Sequence, residues 1–209
     1  MKGIFYGIGI GPGDPEHITL KAVRMMKEVD IIAAPGTDVK ETLAYRIAVQ
    51  AVPEIEQKEM LPIDMPMTMD KEILLKAHKN GAETIEKVLA EGKSVGFITL
   101  GDTTVYSTFS YLEKIVKNHG FETVYISGIT SFCAAAASLG IPLTEWQEPL
   151  HVIPAVHQLD DKLALDGSYV LMKSGRQMPK VKEILKASGR KVNMVENCGL
   201  PNRSEEHTS

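Results

Sequence analysis

Apolar and polar positions change period repeatedly along the chain. Residues 2–10 form an apolar run of strand length, and residues 15–29 return to helical spacing. That helix carries a start signal: Asp14 at the N-cap, Pro15 at the first position and Glu16 in the first turn. The same alternation continues with strands at 30–35, 57–63, 94–101 and 122–126 and helices at 40–52 and 106–119. The clearest helix is 70–91, where Leu74, Ala77, Gly81, Ile85, Val88 and Leu89 share one face. Residues 62–70, PIDMPMTMD, hold two prolines among the methionines and read as a loop. After a small-residue helix ended by Gly140, strands are expected at 150–155, 168–173 and 191–195, with helices near 159–165 and 179–188. Strand-helix alternation of this kind predicts an α/β fold with largely parallel sheets. A boundary near 120–126 would divide it into domains 1–120 and 121–202.

Composition changes this picture little. A 209-residue chain with 44% apolar and 24% charged residues is that of a globular protein. Its formal charge of −4 and lack of a basic block do not recommend nucleic acid as a partner. Cys133 and Cys198 make no disulfide framework, and the N-terminal apolar run is too short for a membrane span, so a cytoplasmic protein is expected. Residues 203–209, RSEEHTS, continue no preceding pattern. They fit a back-translation, AGATCGGAAGAGCACACGTC, that is the sequence of a common sequencing-library adapter. The expectation is a non-native tail, with the natural chain running beyond Asn202.

Three strand-end loops carry the candidate chemistry. In GIGIGPGDP the glycines fall at 7, 9, 11 and 13, so a dinucleotide fingerprint lacks its third glycine in either register. Asp14 puts a carboxylate where a phosphate would sit. On spacing alone the loop reads equally as a plain strand-helix turn and as a place of close ligand approach. LGDTTVYST (100–108) offers hydroxyls, Tyr106 and one carboxylate, Asp102, which suits a polar, cationic or zwitterionic ligand; taken alone, a helix cap is the simpler reading. SGITSFCAAAASLG (127–140) repeats the pattern, with Cys133 expected as a small buried residue. His151 and His157 lack the spacing of a metal site, Trp146 is expected buried in a linker, and Lys173 and Arg176 add two positive charges after a strand.

At these loops the sequence resembles the tetrapyrrole (corrin/porphyrin) methyltransferase family. GIGPGDPEHITLKA, LGDTTVYST and SGITSFCAAAASLG match its three motifs, and EPLHVIPA and VENCG point to the branch that methylates carbon 20 of precorrin-2 or cobalt-factor II in cobalamin biosynthesis. Thr103 departs from the proline usual at that position. The resemblance implies two α/β domains with a cofactor cleft between them, the C-terminal one truncated here, and a homodimer. It implies S-adenosylmethionine as cofactor, contacted by Pro12, Gly101, Asp102, Thr103, Thr130, Ser131 and Met172. Asp102 and Tyr106 are candidates for accepting the proton from the methylated carbon, and Lys173 and Arg176 for meeting the carboxylates of the tetrapyrrole substrate. No metal is expected. The rival readings are another branch of the family (a diphthine synthase or a ribosomal RNA 2′-O-methyltransferase), a nicotinamide oxidoreductase, and a non-catalytic tetrapyrrole carrier.

Overall fold

A computed structural model describes residues 2–155 and 163–207, the Arg176 side chain excepted. His157 and most of the helix expected at 159–165 lie outside the described residues. Two compact units are present, Met1–Ser131 and Phe132–Ser209.

The first unit is a five-stranded sheet in the order β3-β2-β4-β1-β5. Its strands are β1 (Ile4–Gly9), β2 (Ile31–Pro35), β3 (Glu59–Ile63), β4 (Val95–Thr99) and β5 (Glu122–Ile126), and every pairing is parallel. Because β5 pairs with β1, the sheet extends through Ile126, and the unit ends at Ser131.

Helices α1 (Leu20–Glu28), α2 (Leu43–Ala51), α3 (Lys71–Ala90) and α4 (Phe109–Asn118) make the crossovers. Alternation along the strands sends Phe5, Ala33, Ile63, Val95 and Phe97 to one face, where Ala82, Ile85, Leu89, Phe109, Leu112 and Val116 of α3 and α4 complete a core. The Phe109 ring lies 4.9 Å from that of Phe5 and 4.8 Å from that of Tyr125. Buried Glu113 ties α4 to β5, accepting bonds from Thr123 Oγ1 (2.8 Å) and Tyr125 Oη (3.3 Å).

The helix starts refine the expectations. Asp14 caps a single 3-10 turn, Pro15–His17, by accepting from Glu16 N at 2.8 Å, rather than the long helix predicted from it. Ile18 then returns to extended backbone, and α1 starts anew from Thr19, whose Oγ1 accepts from Ala22 N. Asp70 caps α3 as its pattern suggests, accepting from Glu72 N and Ile73 N. Helix α4 starts three residues later than expected because Tyr106 has φ +49° and interrupts the helical backbone.

In the second unit β6 (Leu150–Pro154) pairs in parallel with β7 (Ser168–Met172). Helix α6 (Met178–Ser188) contributes Val181 to a small core with Ala155 and Leu163. Arg190 lies 4.9 Å from the Tyr169 ring and donates to the carbonyls of Leu163, Leu165 and Gly167. A further antiparallel pair joins β8 (Asn193–Glu196) to β9 (Ser204–His207), the latter within the RSEEHTS segment.

Two expectations are corrected here. Trp146 is fully exposed at 102%, on a turn closed by Glu148 N donating to Glu145 O, so the aromatic stands out instead of packing. Cys133 is exposed on α5 (Ser131–Leu139), where Ala134 and Ala136 are the buried residues. Among the described residues no helix is long and apolar enough to cross a membrane.

Candidate functional site

Strand order decides where the loops meet. β1 connects through α1 to β2, beyond β4, whereas β4 connects through α4 to β5, beyond β1. Connections therefore diverge at neighbouring strands, which is where open α/β sheets hold ligands outside their carboxyl ends.

The loops after β1, β4 and β5 interlock at that point. Ile10 N donates to Thr99 O at 3.1 Å, and Gly11 and Gly101 exchange two backbone bonds of 3.2 and 2.8 Å. Both of these glycines have positive φ, +74° and +71°. Gly9 and Gly128 are small for another reason. A Cβ on Gly9 would lie 2.7 Å from Gly128 N and 2.8 Å from Gly101 O, closer than atoms pack. Gly7 serves the core instead, since a Cβ there would lie 2.5 Å from Phe109 Cε1. Alternate glycines in GIGIGPG thus serve ring packing, backbone packing and a left-handed turn in succession.

Asp102 ties two loops together. Its Oδ2 accepts from Gly128 N at 2.8 Å, and its Oδ1 accepts from Thr104 N at 2.7 Å and from the Thr104 hydroxyl. The side chain is nearly buried, with both oxygens engaged. Thr103 is fully buried, donating from Oγ1 to Ile126 O at 3.3 Å, so the hydroxyl that replaces the family's proline is used within the protein. Ser107 Oγ accepts from the backbone N–H of Phe109, the first residue of α4. Tyr106 stands at the loop surface, 43% exposed.

Thr130 is different. Its Oγ1 is buried without a hydrogen-bond partner in the protein, a state that costs free energy unless a ligand or water supplies one. Its neighbours Ile129 and Ser131 come within 4 Å of the position a Cβ would take on Gly101. His17 Nδ1 is the other buried unpaired side-chain atom among the described residues, and its Cβ lies 3.0 Å from where a Cβ on Gly11 would be.

Pro12, Gly101, Asp102, Thr103, Thr130 and Ser131 therefore surround one junction. Met172 and Lys173 adjoin at the end of β7 in the second unit, the former half-buried and the latter exposed, and Arg176 falls in the 3-10 turn Gly175–Gln177. Reasoning from sequence missed Gly128 and His17. Gly128 was visible in SGIT as a glycine after a strand, whereas nothing in the local pattern marks His17.

A parallel sheet whose loops interlock at the carboxyl edge, with the Asp14 carboxylate on the turn after β1, defines an α/β protein without a dinucleotide fingerprint. The model of the tetrapyrrole (corrin/porphyrin) methylases matches residues 5–208, and the chain belongs to that family. A probable cobalt-precorrin-2 C(20)-methyltransferase of Methanocaldococcus jannaschii is 40% identical over 170 residues, covering 81% of this chain and 71% of that protein. The cobalt-precorrin-2 C(20)-methyltransferase of Salmonella typhimurium is 32% identical over 194 residues, covering 90% of this chain and 80% of its own length. Among solved structures, a putative cobalamin synthesis related protein from Corynebacterium diphtheriae has the same fold, with a TM-score of 0.79 at 20% identity over 99% of this chain and 86% of that one. So does a uroporphyrin-III C-methyl transferase from Thermus thermophilus complexed with S-adenosylhomocysteine, with a TM-score of 0.67 at 22% identity over 99% and 88% of the two chains.

Proposed function

We propose that the chain methylates carbon 20 of precorrin-2, or of its cobalt form, in cobalamin biosynthesis, using S-adenosylmethionine. On this chain the reading is carried by the Gly11–Gly101 bridge with the buried, unpaired Thr130 Oγ1 beside it; the ring position rests on the C(20)-methyltransferase relatives.

The junction fits the cofactor's chemistry. Two loops present backbone without side chains in the way, Thr130 has a hydroxyl to spare, and Asp14 disfavours a phosphate. Pro12, Gly101, Asp102, Thr103, Thr130 and Ser131 would hold the cofactor. When bound, adenosylmethionine supplies an electrophilic methyl group on a sulfonium centre. The protein's part is to align the acceptor carbon and exclude water.

Asp102 acts as a positioning residue, because both of its oxygens already hold Gly128 and Thr104. Tyr106, exposed on the same loop, is the candidate for passing on the proton released from the methylated carbon. Lys173 and Arg176 are assigned to the substrate carboxylates, and the protein is expected to work as a cytoplasmic homodimer.

Incubating the protein with methyl-labelled adenosylmethionine and either precorrin-2 or its cobalt form, then locating the label by NMR, tests the reading. Label on carbon 20 supports it. Label elsewhere on the ring, or no transfer by a protein that binds S-adenosylhomocysteine, overturns it.

A further inference from the structure

Exposed apolar side chains of the first unit concentrate on one rim. Every helix of the five-stranded sheet starts at its carboxyl edge, and there Leu20, Leu43, Met67, Met69, Ile73 and Leu100 are each at least 40% exposed. Among the described residues, the segments leading into β2, β3, β4 and β5 at the opposite edge expose no large apolar side chain. Single exposed apolar residues need no explanation, whereas a series along one edge marks a contact surface.

The loop after β3 is the extreme case. Met67 is 105% exposed and Met69 is 78% exposed. Its backbone is tied down: Thr68 N donates to Pro66 O, Asp70 N donates to Thr68 Oγ1, and Asp70 goes on to cap α3. What the loop offers to solvent is therefore two flexible thioether side chains, which adapt well to flat π-surfaces.

Strands lie about 4.8 Å apart, so two spacings, about 10 Å, separate the loop after β3 from the loop after β4. That span is comparable with the width of a tetrapyrrole ring. Lys71 and Lys76, in the first two turns of α3, stand beside the loop. A cavity of about 310 Å³ adjoins it, lined by Ile63, Asp64 and Pro66 of the loop and by Lys76, Asn80 and Thr84 of α3.

We infer that residues 63–70 form a wall of the substrate site, with Met67 and Met69 lying against the apolar face of the tetrapyrrole ring while the loops after β1, β4 and β5 hold the methyl donor. This rests on the proposed function and adds the surface that selects the acceptor.

The test compares the parent protein with a Met67→Ser/Met69→Ser double variant and a Met67→Leu/Met69→Leu double variant. Precorrin-2 and its cobalt form are titrated anaerobically by absorbance, and S-adenosylhomocysteine by calorimetry. Losing two apolar contacts should weaken tetrapyrrole binding by about tenfold or more in the serine variant. The leucine variant should return to the parent affinity, and all three proteins should bind S-adenosylhomocysteine alike. Hydrogen exchange of residues 63–70 in the parent should slow on adding tetrapyrrole and not on adding S-adenosylhomocysteine. A serine variant with parent-like tetrapyrrole affinity and turnover overturns the inference and leaves the proposed function standing. A parent that binds S-adenosylhomocysteine but neither tetrapyrrole overturns both.

Discussion

Gly128→Ala isolates the loop junction from every other feature of the site. Gly128 is not among the residues with positive φ, so alanine meets no backbone strain there and the effect is steric. The added methyl would overlap Gly101 O and lie 2.8 and 2.9 Å from the C and O of Gly9, where non-bonded carbon contacts prefer about 3.5–4.0 Å. Those neighbours are backbone, so no side chain can turn aside. The loops must part by roughly 1 Å, a shift that overpacking places at about 1–3 kcal/mol. Parting them also stretches the 2.8 Å bond from Gly128 N to the Asp102 carboxylate, a charge-assisted bond contributing about 1.5–3 kcal/mol. The sum, about 2.5–6 kcal/mol, is measurable by urea denaturation. S-Adenosylhomocysteine affinity, measured by calorimetry below the denaturation midpoint, should fall, and the rate of methyl transfer should fall by as much as about 100-fold, the cost a 1 Å misplacement of reacting groups can carry. A Gly128→Ala protein with parent stability and parent affinity would refute the interlocked junction as the cofactor site.

Three further outcomes follow from the same geometry. Thr130→Val removes a hydroxyl with no partner in the protein, so stability should be unchanged or slightly raised, while S-adenosylhomocysteine affinity falls by about two- to tenfold, checked by paired melting and calorimetry. Asp102→Asn turns an amide N–H toward either the Gly128 or the Thr104 backbone N–H, which should cost about 1–3 kcal/mol and lower kcat/KM without moving the pH-rate profile; a shifted profile would make Asp102 a proton acceptor instead. Burial, then the charge of Glu113, raises the Tyr125 hydroxyl above its ordinary value. The folded chain therefore holds that proton more tightly than the unfolded one, and its contribution, complete below pH 10, is lost as pH rises through the folded value. Tyr125→Phe should flatten the fall in melting temperature above pH 10, with Tyr6 and Tyr45, raised in the same direction by burial, leaving a remainder.

Much of the architecture was legible because its signals are local. The start and face of α3 follow from Asp70 and a run of apolar residues at helical spacing, and both lie within one continuous segment. The three loops that meet at the sheet edge announced themselves by glycines and hydroxyls directly after strands, and the failed dinucleotide spacing by counting. What stayed hidden depends on partners remote in the chain. Gly7 is a glycine because Phe109 packs over it, and Gly9 because the loops after β4 and β5 close on it. Asp102 read as a helix cap or a base, yet its carboxylate reaches across to Gly128 N. Asp14 read as the cap of a long helix, and Ile18 breaks that helix after one turn. Trp146 looked buried on hydrophobicity alone, which says nothing about whether a core lies within reach. Hydrophobic period, capping and turn chemistry are interactions within a few residues, so sequence by itself determined the α/β alternation and the glycine- and hydroxyl-rich loops after the strands. Strand order, the pairing of β5 with β1, the meeting of Gly9, Gly101 and Gly128 and the unpaired Thr130 hydroxyl were decided only by tertiary structure, because each is a distance between segments that the chain brings together by folding.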